Sequence, residues 1–148
     1  MLPATADRIG INTDDEINEQ IRRQADARVT QAAAGGTRAV DRRLVELDYE
    51  WDVERMLETM APSMSLVGLF LGAMVNRKWL LLPAGIQAFL LLHGVQGWCP
   101  PLPALRRMGF RSLDEINQER YALKAVRGDF RESGRKPTAN EAIAATRK

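Results

Sequence analysis

Apolar residues follow two different patterns along this chain. From Thr59 to Asn76, and again from Trp79 to Leu105, they run almost unbroken, and Arg77 and Lys78 are the only charges across that whole stretch. On either side, apolar positions recur at three- and four-residue spacing among many charges, the pattern of amphipathic helices. The first uncharged run has 18 residues, roughly 27 Å as a helix and close to a hydrocarbon core of about 30 Å. The second has 27 residues, but Pro100, Pro101 and Pro103 end its helical part near Gly97. Only Asn76-Arg77-Lys78 separates the runs. The expected fold is therefore an all-α membrane protein: a two-helix antiparallel transmembrane hairpin (59–105, with spans 59–76 and 79–98) and amphipathic cytoplasmic helices on both sides.

The flanks divide further. Within 1–36, a helix is expected from Asp14 to Ala33, stopped by Gly35-Gly36. A juxtamembrane helix over 37–58 then carries Val40, Leu44, Leu47 and Trp51 on one stripe and Val53, Met56 and Met60 on a later one, with Pro62 marking a kink. Within 106–130, Pro103 to Met108 reads as one interfacial turn presenting Leu102, Leu105 and Met108. Ser112 to Arg127 reads as a helix closed by Gly128. Residues 131–148 are small and polar and read as a disordered tail. A short internal repeat aligns Gly10–Gln20 with Gly109–Glu119. In each copy a hydroxyl residue (Thr13, Ser112) precedes a Glu by three positions (Glu16, Glu115), the signature of a capping box at a helix start.

Charge changes this picture. The 148 residues have a net charge of +2 and a pI near 9.0. Yet residues 1–58 hold 8 basic and 13 acidic side chains, whereas residues 106–148 hold 11 and 6. An acidic arm and a basic arm are thus expected to pair, within one chain or across a dimer. No clustered basic face argues for nucleic acid. The stretch MLPATADRIGINTDDE lacks the apolar core of a signal peptide, so the first transmembrane segment is expected to direct insertion. Arg55, Arg106, Arg107 and Arg111 lie near the membrane on the terminal side, against Arg77 and Lys78 in the turn, which places both termini in the cytoplasm. Trp79 and Trp98, with Arg77, Lys78, Arg106 and Arg107, are expected at the membrane interfaces. Gly68 and Gly72 form a G-x-x-x-G pair, and Ala84 and Ala88 repeat the small-residue spacing on the second helix. Such spacing marks a helix contact, within the hairpin or between subunits of a homodimer.

Candidate chemistry is sparse. His93 is the ionisable group inside the second run, with Gln96 on its face as a hydrogen-bond partner; a neutral His bonding across a helix contact is its plain structural role. Gln87 projects elsewhere and reads as packing. Cys99, the single cysteine, excludes a disulfide framework. Standing before Pro100 near Arg106 and Arg107, it is a candidate thiol for sulfur or redox handling, or else an unreactive packing residue. There is no catalytic constellation and no metal-ligand spacing, and no cofactor is expected.

The stretch NRKWLLLPAGIQAFLLLHGVQGWCPPLP, followed by GFRSLDEINQERYALKAVRGDF, resembles the YgaP-like transmembrane domain family of small bacterial inner-membrane proteins. The resemblance spans about Asp41 to Phe130 and is strongest at Gly97-Trp98-Cys99-Pro100. It implies a membrane hairpin with cytoplasmic termini that tends to dimerise. Members that carry a rhodanese domain owe their sulfurtransferase activity to it. Residues 1–58 contain no Cys and are too short for such a domain, so that activity is not carried over. The expectation is a non-enzymatic inner-membrane module, dimeric, with cytoplasmic helices available to a protein partner. The alternative is thiol chemistry at Cys99 or passage of a small anion between the helices.

Overall fold

The structure, a computed structural model, describes residues 3–129. All its regular elements are helical: α1 (Arg8–Ile11), α2 (Asp15–Ala34), α3 (Thr37–Tyr49), α4 (Val53–Met74), a 3-10 turn (Arg77–Leu80), α5 (Leu81–Gln96), α6 (Leu102–Arg107) and α7 (Leu113–Arg127). The expectation of a disordered tail over 131–148 lies outside the described residues.

Local chemistry accounts for several boundaries. At the start of α7, the Ser112 hydroxyl accepts from the Glu115 amide and the Glu115 carboxylate accepts from the Ser112 amide, completing a capping box. Gly128 closes that helix at φ +94°, and Gly97 closes α5 at φ +79°. The other copy of the repeat behaves differently. Asp14, not Thr13, is the N-cap of α2, and it makes no side-chain capping bond. The Thr13 hydroxyl instead donates to the Ile9 carbonyl and accepts from Arg106 Nε.

The juxtamembrane helix expected over 37–58 is two helices. Glu50 is extended, and Asp52 caps α4 by accepting from the Arg55 amide at 2.7 Å. The break is held from outside by the Val53 amide, which donates to the Arg111 carbonyl. Trp51 therefore leaves the core stripe; it is exposed, with the Arg55 guanidinium 4.5 Å above its ring. From Val53, α4 continues as one helix through Pro62 to Met74.

Two apolar cores result. In the first, α2, α3 and α7 form a three-helix bundle around Ala32, Val40, Leu44, Leu47, Ile116 and Leu123. In the second, Ile9, Val53, Leu57, Cys99, Leu102 and Leu105 join the bases of α4 and α5 to α1 and α6. Beyond this junction, α4 and α5 pack on each other with little burial. Gly68 meets Pro83 and Leu82, Gly72 meets Leu80, and Gln87 Nε2 donates to Ser65 Oγ.

The acidic and basic arms meet within the chain. Asp14, Asp41, Asp48 and Glu50 pair with Arg107, Arg127, Arg120 and Arg111 respectively. Most of these pairs are exposed and worth under ~1 kcal/mol each. Those centred on Glu119 are not. This buried carboxylate receives Arg111, Arg43 and Arg28 and so ties α7 to α3, to α2 and to the α6–α7 link.

Candidate functional site

The residues singled out for chemistry converge on the junction between the bundle and the apolar helix pair. Four segments meet there: α1, the bases of α4 and α5, and α6. Arg106 is its anchor. Expected at the membrane interface, it is instead buried, 1% exposed, because the chain supplies a partner for each donor it carries. Nε donates to Thr13 Oγ1, Nη1 to the Phe110 carbonyl and Glu115, and Nη2 to Asn18 Oδ1 and Glu115. A guanidinium has five N–H donors, so none is stranded. Burial alone would raise the Glu115 carboxyl, but Arg106 and Ser112 hold it below the usual range. Arg107, one residue on, is exposed and, among the described residues, paired only with Asp14 at 3.5 Å.

Cys99 lies in the junction core and is 3% exposed. Burial pushes its thiol up, against a smaller opposing effect of a backbone hydrogen bond from Leu102. The arginine expected to favour its thiolate, Arg106, is fully engaged with Glu115 and its other acceptors. A cleft of about 120 Å³ runs beside Cys99 between α4 and α5, lined by Leu57, Met60, Ala61, Met64, Phe89 and other apolar residues. With no cation or amide in its lining, this cleft does not suit a small anion.

His93 is also buried, and neither ring nitrogen has a hydrogen-bond partner among the described residues. The expected bond to Gln96 is absent. Gln96 instead contributes its main-chain carbonyl, which accepts from Asn12 Nδ2 at 2.8 Å. α1 lies against this end of α5, where Arg8 forms an ion pair with Glu54 and Arg8 Nη1 reaches the Gly94 carbonyl. Gly97 faces the Arg8 carbonyl so closely that a side chain there would collide with it. The sequence reading missed the part played by Arg8, Asn12 and Glu54. Their only local signal was polarity, and their partners lie 46 to 86 residues away.

The remaining candidates are spread over the apolar pair. Gly68 and Gly72 face α5, whereas Ala84 and Ala88 are exposed on its outer side. Trp79 and Trp98 are partly exposed at opposite ends of α5, and Arg77 and Lys78 are exposed at the turn. No family model, curated protein or solved structure matches this chain, so the family resemblance rests on the residues quoted for it.

Proposed function

We propose that this chain is a membrane-anchored interaction module. In this reading α4 and α5 cross the bilayer as an antiparallel hairpin, and the α2–α3–α7 bundle stands in the cytoplasm. One observation carries it: the apolar helices keep their largest side chains outside. Leu66, Phe70, Met74, Leu81 and Leu91 are between 62% and 75% exposed, while both cores beneath them are closed. α4 (Val53–Met74), and α5 taken with the 3-10 turn before it (Arg77–Gln96), are long and apolar enough to span a membrane, and only 22% and 11% of their most apolar windows are buried. A core helix of a water-soluble domain is mostly buried, and so continuous an apolar surface is costly in water. Lipid solvates it without cost.

The four arginines near the terminal side against Arg77 and Lys78 favour cytoplasmic termini. The bacterial inner membrane follows from the family resemblance. The bundle offers a partner an open groove of about 560 Å³ between the α1 segment, α2 and α7, lined by Asp7, Asp15, Asp26 and Asp114 against the single cation Arg22, an acidic balance that suits a basic segment. Gly68 and Gly72 are used within the chain, which leaves the Ala84–Ala88 face of α5 for contact between two copies of a homodimer. The burial of Cys99 and its raised thiol argue against the redox reading.

The test is extraction. After a wash in alkaline carbonate the full chain stays with the membrane pellet; release into the supernatant overturns the proposal.

A further inference from the structure

The groove beside α2 and α7 has a direction. Asn18 and Glu115 share the Arg106 guanidinium, and Arg28 meets Glu119, so α2 and α7 run the same way along it. One end lies at Asp26 and Ala122, towards the close of α7. The other lies at Asp15 and Asp114, where the α1 segment completes it with Asp7 and Ile11. Ile21, Ala25 and Val29 give it an apolar lining along α2, and Ile11 is left 68% exposed.

The charge of the groove is one-sided. Glu115 and Glu119 are already engaged by arginines, and Arg22 pairs with Glu19 on its own helix. Among the described residues, Asp7, Asp15, Asp26 and Asp114 make no ion pair. Carboxylates lined up in this way attract a cationic chain. Such a chain begins where the described residues stop. Residues 130–148 carry five basic side chains against two acidic ones, and Arg135 and Lys136 are adjacent. α7 closes at Gly128, about 9 Å of helix rise beyond Ala122 and about 21 Å beyond Asp114. An extended chain advances about 3.3 Å per residue, so residues 130–136 can span about 23 Å and reach either end. We propose that the groove is the seat of the chain's own C-terminal segment, with Arg135 and Lys136 set against Asp15, Asp26 and Asp114. The segment then covers the surface offered to a partner, which must displace it to bind. This inference rests on reading the groove as a site for a basic segment; it does not depend on the membrane reading.

A nitroxide on Thr138→Cys, in the full chain with Cys99→Ala in detergent micelles, tests it. The amides of Gly10, Asp15 and Asp114 are followed, because they lie at the end far from Gly128. In about 0.05 M salt they lose about half their signal, and in about 0.5 M salt they recover, since salt screens the attraction. Arg135→Gln with Lys136→Gln restores them at low salt, and so does Asp15→Asn with Asp26→Asn and Asp114→Asn. Unchanged α3 signals in each variant show that the bundle is still folded. The proposal is overturned if the three amides keep full signal at low salt, or if the Arg135→Gln, Lys136→Gln chain still weakens them. It is equally overturned if a labelled chain weakens them in an unlabelled copy and not in itself, which gives the groove to a second copy. Added oligolysine separates such a failure from failure of the groove itself: it shifts the same amides if a partner's basic segment binds there, and leaves them unmoved if none does.

Discussion

Arg106 and Arg107 are chain neighbours with opposite surroundings, and nothing in their local sequence separates them. The partners that bury Arg106, Thr13 and Asn18, lie 93 and 88 residues away, so its place in the junction was not legible where an Arg-Arg pair bordered an apolar run. Removing one side of a buried pair strands the other, which costs about 3–5 kcal/mol, whereas an exposed pair contributes under ~1 kcal/mol. Chemical denaturation is expected to show that difference between Arg106→Ala and Arg107→Ala. Acid should act on the same contacts. Burial opposes ionisation of Glu115 and Glu119, yet their arginine partners leave both carboxyls below the ordinary value of 4.5. A group depressed on folding contributes its stability in full above that value and loses it as pH falls through the folded one. Stability, read from unfolding followed by circular dichroism, should thus fall steadily below about pH 4.5, and Glu119→Gln should flatten that decline. Cys99 was legible as a position but not as an environment; its burial predicts slow maleimide labelling in the folded chain. Gly97→Ala, strained at φ +79° and pressed on the Arg8 carbonyl, should displace α1 and speed that labelling.

At the scale of elements, the sequence was most informative where a boundary is made by adjacent residues. Ser112, Glu115 and Gly128 define α7 at both ends, and those bonds form. It was least informative at Glu50–Asp52. There the apolar stripe runs on as though helical, but the Arg111 backbone, reached through the far arm, holds the chain extended. The same limit applies to Thr13, whose hydroxyl is drawn from the cap it could have made to Arg106. Within the apolar pair, the glycine spacing implied a close approach without saying to what. A methyl group at Gly68 would press on the rigid ring of Pro83, whereas at Gly72 it meets the flexible end of Leu80. Gly68→Ala should therefore destabilise the α4–α5 pair by about 1–3 kcal/mol and Gly72→Ala by less, as read by thermal melts in detergent.

At the scale of the whole molecule, the net charge of +2 conceals an acidic arm folded onto a basic one, and the structure closes that pairing inside one chain. What remains open is the apolar pair, which projects from a closed junction with its large side chains outward. The central claim is that lipid covers those side chains and that the tip and the bundle lie on opposite sides of a membrane. Single cysteines at the tip (Lys78→Cys) and on the bundle (Thr30→Cys), each in a Cys99→Ala background, test it directly with a membrane-impermeant maleimide. In intact cells the account predicts labelling at position 78 and none at position 30 until the membrane is permeabilised. Equal labelling of both positions before permeabilisation would contradict it.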